Sequence, residues 1–451
     1  MHRLTAIVST FVLAMSMPLR AEVSATSSGV DELREAVAEQ GRQIEAQRAL
    51  LEQQQAVISR LSTDDGDWLN ARRAEEVKGL IREVLSDADM RASMLEDGLT
   101  AGHNGKSFFI RSQDGTFALN IAGMVQVRHI YNNQDTSPTD DEIGGFEIAR
   151  TRFGFIGHVV DPSWKFVIWT GHADTGSELL LDTFITRVFD NGWSVTAGQF
   201  KVPMWREWLV SEKSQQLIER SLLNGLSGSY TQGIKADYKD ESVQLTLSFN
   251  DGLAGLNKTW STEDTDLALT GRVELLVFGK WVNYGSWMSC MHDEPVLVIG
   301  GAAHYQKGES GTATVPADIT RWTADINWGM GGANLFAAII GDHQESDSAA
   351  DIDRLGVLVQ AGVFLTEKLE VFGRYEWADL DADVDGPDDL GVATLGGNYY
   401  VQGHRLKITA DVGYGIDPIP STFSSNMPGW RTDAAGEDGQ VVARTQVQLL
   451  F

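Results

Sequence analysis

The residues of this sequence that could most clearly bind a solute or carry out chemistry are charged side chains that alternate with apolar ones. In the segment "FEIARTRFGFIGH", Arg150 and Arg152 are separated by one residue and flanked by Ala149 and Phe153. On a β-strand this spacing places both guanidinium groups on the same face. A row of guanidinium groups attracts anions, because each one is permanently charged and carries several donors. A face that also carries carboxylates would instead produce a transverse field that orients water and small polar solutes.

Catalysis and metal binding have little support in the sequence. The seven histidines after residue 105 are scattered singly, with no nucleophile elbow and no paired spacing for zinc. The run "DLDADVDGPDD" places Asp381, Asp383 and Asp385 before Gly386, as at the start of a calcium loop, but the twelfth position is Val392 and not a bidentate glutamate. We therefore expect a solvated acidic loop there, and no enzyme activity, cofactor or bound metal.

Composition and the N-terminus indicate an exported protein. The net charge of −27 over 451 residues excludes a nucleic-acid-binding protein, and the single cysteine, Cys290, excludes an internal disulfide. His2 and Arg3 precede an apolar run over residues 4–18 that is too short to span a bilayer as a helix. This pattern predicts a signal peptide over residues 1–21.

A heptad repeat follows the predicted signal peptide and covers residues 30–61. Its core positions, in two sets three residues apart, are Val30, Val37, Ile44, Leu51 and Ile58, and Leu33, Gln40, Gln47, Gln54 and Leu61. The repeat predicts an α-helical coiled coil that associates with copies of itself; the alternative is an isolated amphipathic helix lying on the membrane or on the rest of the protein. We predict a second helix over residues 68–97 and a flexible linker over residues 98–107.

The rest of the chain shows long alternation of apolar and polar residues. The stretch "FALNIAGMVQVRHIYN" keeps this period for sixteen residues, whereas a soluble strand has about five or six and a tilted membrane strand needs about 9–11. The same period predicts strands over residues 117–132, 146–160, 164–171, 180–189, 193–200, 231–239, 242–250, 266–279, 295–305, 318–328, 333–341, 354–364, 369–377, 390–400, 405–414 and 441–451. The fold predicted for residues 108–451 is therefore all-β, a 16-stranded antiparallel transmembrane β-barrel, preceded by the coiled coil.

Connection lengths and the last strand agree with a bacterial outer-membrane barrel. Tight turns alternate with long loops over residues 132–145, 201–230 and 415–440, as in barrels with short periplasmic turns. The final strand alternates to the last residue, Phe451, and resembles the signal that directs barrels into the outer membrane. The expected partners are outer-membrane lipid and lipopolysaccharide, and the barrel-assembly machinery through Phe451.

Strand parity then assigns charged residues to the barrel interior. A guanidinium group facing lipid at mid-bilayer would cost roughly 2–4 kcal/mol, so charged positions are expected to face the lumen. The predicted pore-lining residues are Arg128, Arg150, Arg152, Arg272, Glu274, Arg321, Asp325, Arg374, Lys407 and Arg444. Because both signs occur, we expect a lumen of mixed charge.

Three segments resemble the phosphate-selective porin O and P family in order and spacing. They are "FEIARTRFGFIGHVVDPSWKFVIW", "TAGQFKVPMWREWLVSEKSQQLIERSLLN" and "LGGNYYVQGHRLKITADVGYG", and the likeness covers most of residues 109–451. The resemblance implies a trimeric, water-filled, sixteen-stranded channel with a periplasmic coiled coil in some members. It also implies that the segment after Gly198, Gln199, Phe200, Lys201 and Pro203 folds into the barrel as a constriction loop and leads to Glu219, Arg220 and Ser221.

The constriction-loop residues expected from this resemblance are Lys201, Arg206, Lys213, Glu219 and Arg220. The segment "MWREWLVSEKSQQLIERSLL" supports an inward fold, because its apolar side can rest on the barrel wall while its charges border the channel. The alternative is an outer loop that latches neighbouring subunits.

The function expected from the sequence is passive diffusion of small hydrophilic solutes and ions, including anions or phosphate, through a homotrimer. Residues 106–451 carry 25 basic and 46 acidic residues, which departs from the strongly basic pattern that the family's phosphate selectivity implies. The alternative function is a structural outer-membrane anchor, in which the periplasmic coiled coil tethers the envelope to the cell wall.

Overall fold

The computed structural model describes the barrel and the segments attached to it. The described residues are 98–105, 107–136, 139–172, 178–253, 255–260, 265–308, 318–346, 350–381, 387–423, 428–434 and 436–451. The predicted signal peptide, coiled coil and second helix lie outside these residues, as do Asp383 and Asp385 of the acidic run. No helix within the described ranges is long and apolar enough to cross a membrane.

The described residues form one antiparallel sheet of eighteen strands. The strands are β1 Leu99–His103, β2 Phe108–Ser112, β3 Ala118–Thr136, β4 Thr139–His158, β5 Trp164–His172, β6 Glu178–Val188, β7 Trp193–Lys201, β8 Tyr230–Lys239, β9 Val243–Asn250, β10 Leu267–Phe278, β11 Val296–Lys307, β12 Asp318–Gly329, β13 Ala333–Glu345, β14 Ile352–Phe364, β15 Leu369–Asp379, β16 Asp389–Gln402, β17 Leu406–Gly415 and β18 Val441–Leu450. Within the described ranges the helical segments are short: one α-helical turn, Arg206–Leu209, and the 3-10 turns Glu212–Ser214, Leu222–Leu226 and Trp281–Tyr284.

Strands β3 to β18 close into a sixteen-stranded barrel, which confirms the predicted architecture. Closure occurs where β18 pairs with β3, from Val441 opposite Asn133 to Leu450 opposite Met124. Beyond that register, Phe451 exchanges two backbone hydrogen bonds with Gly123, at 2.7 and 3.1 Å. A Cβ at Gly123 would lie 2.2 Å from the Phe451 ring, so glycine is what allows the terminal aromatic to cover this position.

The two faces of the barrel strands have the reverse polarity of a soluble sheet. In β17, Lys407, Thr409 and Asp411 face inward and are buried, whereas Ile408 and Val412 face outward and are exposed. An outward apolar face suits a hydrocarbon environment, and an inward polar face suits a lumen. The period-two pattern in the sequence therefore arises from contact with lipid on one side of the wall.

The predicted linker over residues 98–107 is replaced in part by strand. β1 pairs with β2, and β2 pairs with β3 from Phe108 opposite Ile121 to Arg111 opposite Ala118. This hairpin therefore continues the edge of β3 beyond the end of β18. The two strands have five residues each, which is too short for the long alternation by which the barrel strands were predicted.

The predicted loop over residues 132–145 is also mostly strand. β3 and β4 remain paired up to Thr136 and Thr139. Polar side chains are compatible with strand here because they find partners inside the barrel end: Asn132 donates to the Gly429 carbonyl at 2.8 Å, and Gln134 donates to the Thr432 carbonyl at 2.6 Å. The pairing of β3 with β4 thus extends well past residue 132, where the predicted strand ends.

The two ends of the barrel differ in their connections. The end at which β3 begins and β18 stops, here called the turn side, has short turns such as residues 240–242 and 330–332, but it also has the long connection 279–295. The opposite end, here called the loop side, has long segments at residues 202–229 and 416–440. We call residues 202–229 the inner loop, because they enter the barrel.

Candidate functional site in the barrel lumen

All ten residues predicted to line the pore lie on the inward face of the barrel wall. Nine of them have buried or nearly buried side chains, and Arg152 is the most exposed, at 17% of its side chain. Seven of them contact the inner loop, whereas Glu274, Asp325 and Arg444 form ion pairs with other residues of the wall. The predicted set therefore provides much of the surface on which the inner loop rests.

Backbone carbonyls of the inner loop accept hydrogen bonds from cations on the barrel wall. Arg272 on β10 donates to the Met204 carbonyl at 2.8 Å, and Lys407 on β17 donates to the Gln215 carbonyl at 2.7 Å. The inner loop leaves the wall at β7 and returns at β8, so its contact with Lys407 on the opposite side requires it to cross the lumen.

Two carboxylates of the inner loop form ion pairs with the wall. Glu219 lies 2.5 Å from Arg128 and 2.6 Å from Arg150. Glu212 lies 2.7 Å from Arg152, 3.0 Å from Arg220 and 3.3 Å from Lys201, so several cations surround it.

These cations keep both carboxylates ionised. Burial by itself raises the pKa of Glu219, but Arg150 and Arg128 lower it by more, so the pKa lies well below its usual range. The pKa of Glu212 is also well below its usual range, because Arg152 and Lys201 outweigh the effect of burial. Both ion pairs therefore persist under mildly acidic conditions.

Arg374 on β15 connects two acidic residues to the inner-loop backbone. Its guanidinium lies 3.3 Å from Glu207 of the inner loop and 3.3 Å from Glu376 on its own strand. It also donates to the Glu219 carbonyl at 2.9 Å. The side chains of Arg374, Glu207 and Glu376 are almost completely buried, so their charges are stable there only because they are paired with one another.

The tip of the inner loop is bound to the wall opposite its origin. Gln216 donates to Glu370 at 2.6 Å and accepts from Gln360 at 3.0 Å, and its carbonyl accepts from Asn398 at 2.8 Å. Gly362 leaves room for this side chain, because a Cβ there would lie 1.9 Å from the Gln216 amide nitrogen. The tip thus has a specific seat on β14, β15 and β16.

An apolar cluster fills the lumen between the inner loop and strands β13 to β16. Trp205, Leu223 and Leu226 of the inner loop are fully buried, and they belong to the same cluster as Phe336 and Leu358 on the wall. This part of the lumen is therefore dry, unlike the uniformly water-filled interior that the resemblance implies. Any passage must run beside the cluster.

A second segment enters the lumen from the turn side, which the sequence reading did not anticipate. In the connection 279–295, the ring of Tyr284 lies 3.6 Å from the Arg206 guanidinium, and Trp287 donates to Gln215 at 2.9 Å. Trp287 also packs against Phe336 at 4.5 Å. The sequence does contain one indication of this segment. The connection has fifteen or more residues, two of them tryptophan, where a short turn is expected.

The five residues predicted for the constriction loop take different roles. Lys201, Arg220 and Glu219 belong to the ion-pair networks, and Arg206 is buried against Tyr284 and Trp287. Lys213 is partly exposed, and its ammonium lies 5.9 Å from the centre of the Trp169 ring. Within the described ranges, no carboxylate forms an ion pair with Lys213. The sequence analysis did not predict Glu212 as a site residue, because charged residues in a loop do not alternate as they do along a strand.

Part of the lumen is open and forms a cavity of about 640 Å³ between the inner loop and the inner faces of β3 to β8. Its charged lining consists of five basic and two acidic residues, Arg152, Lys201, Lys213, Lys235 and Arg405, and Asp182 and Glu212. The cavity therefore has an excess of positive charge, although the chain as a whole is acidic. In the described part of the chain, no group of three or more His, Cys, Asp or Glu side chains is arranged to hold a metal ion.

Comparison with known families agrees with this geometry. The model of the family "Phosphate-selective porin O and P" matches residues 92–268, which include β3 to β9 and the whole inner loop. Over these residues the chain is similar to that family, which confirms the resemblance predicted from the sequence. The chain is an outer-membrane porin, a channel and not an enzyme. No curated relative matches the chain at a significant level.

Solved structures show the same barrel at low identity. An anion-selective porin from Comamonas acidovorans is 14% identical, with a TM-score of 0.53 over 74% of this porin and 100% of that chain. OmpT of Vibrio cholerae with loop L8 deleted is 12% identical, with a TM-score of 0.52 over 74% and 100%. In-vitro folded OmpT of Vibrio cholerae in its trimer form is 12% identical, with a TM-score of 0.50 over 74% and 100%. At these identities the likeness concerns the fold.

Proposed function

We propose that this porin is a passive diffusion channel for small hydrophilic solutes that prefers anions, with the inner loop as its constriction. The supporting observation is the cavity beside the inner loop, whose charged lining is mostly basic. Charges that line a narrow, low-dielectric passage act strongly on permeating ions, because solvent screens them less than charges on an open surface. Phosphate is one of the small anions that such a lining would admit.

The acidity of the whole chain does not oppose this proposal. Several inward carboxylates away from the cavity are paired with cations on the wall: Asp325 lies 2.9 Å from Arg272, and Asp411 lies 2.7 Å from Arg444. Paired charges largely cancel at a distance, whereas the cavity retains an excess of cations. Local charge, and not net charge, is therefore expected to set the selectivity.

The zero-current potential across a KCl gradient in a planar bilayer tests this proposal. We expect the sign of an anion-selective channel for the full-length porin, and a shift toward zero for the double variant Lys235→Gln, Arg405→Gln. The matched control is Lys280→Gln, which removes a cation whose side chain is 65% exposed and paired with Glu294 outside the cavity. Cation selectivity of the unaltered channel would overturn the proposal.

We further propose that the porin is a homotrimer in the outer membrane, with its N-terminal helices in the periplasm as a coiled coil. The heptad repeat over residues 30–61 supports self-association, and one of the similar barrels is described as a trimer. Lipopolysaccharide, outer-membrane lipid and the assembly machinery that reads Phe451 are the partners we propose. Mass photometry in detergent should give a trimer for the full chain, and a monomer would contradict this assembly.

A further inference from the structure

One wall of the cavity is apolar, although porin lumens are generally lined by polar side chains. Ile156 on β4 pairs with Val167 on β5, and Val167 pairs with Phe184 on β6, so the three form a row across adjacent strands. Trp169 follows two residues along β5 on the same face and lines the same cavity. We call these four residues the apolar strip.

The apolar strip does not belong to the packed interior of the protein. Its four side chains are only partly buried, and none of them is a member of the apolar cluster around Trp205 and Leu223. Residues that serve packing alone would be covered by the inner loop, as Phe336 and Leu358 are. The strip faces the open space of the cavity instead.

A cation faces the strip from the inner loop. The Lys213 ammonium lies 5.9 Å from the centre of the Trp169 ring, and no carboxylate in the described ranges pairs with it. Its neighbour Glu212 is already bound by three cations, so it does not compete for Lys213. An ammonium near an aromatic face leaves its other donors available to a second partner.

We infer that the apolar strip and Lys213 form a binding site for an organic monocarboxylate with an alkyl or aromatic body. The carboxylate would accept hydrogen bonds from Lys213 while the body lies against the strip and leaves water. A second carboxylate on the same ligand is disfavoured, because the acidic residues Asp182 and Glu212 also line the cavity. The volume of about 640 Å³ is in the range of small-molecule sites. This inference rests on the proposed anion preference and names the class of anion that is retained.

Inhibition of the chloride current in planar bilayers tests the site with hexanoate and acetate as probes. Because hexanoate buries further methylene groups on the strip, we expect half-inhibition at a concentration about tenfold lower than for acetate in the full-length porin. Uncharged 1-hexanol, which lacks the carboxylate, should inhibit more weakly than hexanoate. Equal inhibition by hexanoate and acetate, or by hexanoate and hexanol, would overturn the inference.

Variants separate this site from general effects on the channel. Trp169→Gln should remove the preference for hexanoate over acetate while leaving the zero-current potential in KCl unchanged. Trp169→Leu keeps an apolar surface and should retain part of the preference. The control is Trp260→Gln, which alters a loop-side tryptophan that is 93% exposed.

The two proposals can fail separately. A Trp169→Gln channel that still prefers hexanoate would overturn the binding site, even if the KCl potential shows anion selectivity. A cation-selective potential in the unaltered porin would overturn the proposed function, whatever the ratio of hexanoate to acetate.

Discussion

Arg374 holds the inner loop to the far wall, so its replacement is a direct test of the constriction. The change Arg374→Met removes the guanidinium that lies 3.3 Å from Glu207 and from Glu376 and that donates to the Glu219 carbonyl. Methionine fills a similar space without charge, so the change leaves two buried carboxylates without their shared cation. We expect the inner loop to leave its seat in a fraction of the channels.

The size of the effect follows from the burial of this network. All three side chains have relative exposures of 4% or less. Removing one member of a buried, hydrogen-bonded ion pair typically costs about 3–5 kcal/mol. If this cost falls on the docked state of the loop, its docking equilibrium weakens by roughly two to four orders of magnitude.

Single-channel recording measures the outcome. We expect Arg374→Met to show a larger mean conductance than the unaltered porin, or transitions between the original and a larger level. Arg354→Met is the matched control, because Arg354 also faces inward but pairs only with Asp342 on the wall, at 3.5 Å. A folded Arg374→Met channel with unchanged conductance and noise would refute the role of Arg374 as an anchor.

Three further predictions concern the loop seat, its charges and the closure of the barrel. Gly362→Val should raise the conductance, because a Cβ at this position would meet Gln216 at 1.9 Å, whereas Gly301→Ala, where the nearest atom is at 3.4 Å, should not. The conductance should stay constant from pH 7 to pH 5: Glu219 has a lowered pKa in the folded state, so its stabilisation is complete above its unfolded pKa and is lost only as the pH falls through the lower folded value. A step in conductance within that range would contradict this. Gly123→Leu should reduce the fraction of heat-resistant folded barrel on gel electrophoresis, because the side chain would collide with Phe451; an unchanged fraction would show that this contact is dispensable.

The barrel could be predicted from the sequence because lipid imposes a strict rule on every strand. Each outward position must be apolar along the whole crossing, so the period extends over eight residues or more and marks all sixteen strands. The inward direction of Arg272, Arg374 and Lys407 follows from the same rule. This rule did not predict the hairpin of β1 and β2, since neither strand crosses the membrane and each has only five residues.

The interior of the lumen could not be predicted in the same way. Arg152, which pairs with Glu212, and Glu370, which accepts from Gln216, lie on strands far away in the chain. No period connects a loop residue with the wall position that it meets. The resemblance to a porin family predicted that the loop folds inward, but not that Trp287 enters from the turn side to meet it. The inner loop also does not cover the apolar strip on one wall of the passage. Only the pairing of β4, β5 and β6 in the structure shows that these side chains lie together.

The most direct test of the central claim is chemical modification of the passage during recording. In a Cys290→Ser background, Ser211→Cys places a thiol on the cavity wall, and Ala338→Cys places one in the apolar cluster. A charged methanethiosulfonate reagent should lower the current in steps for Ser211→Cys and leave Ala338→Cys unchanged. An unchanged current at Ser211→Cys, or a stepwise loss at Ala338→Cys, would show that solutes do not pass between the inner loop and strands β3 to β8.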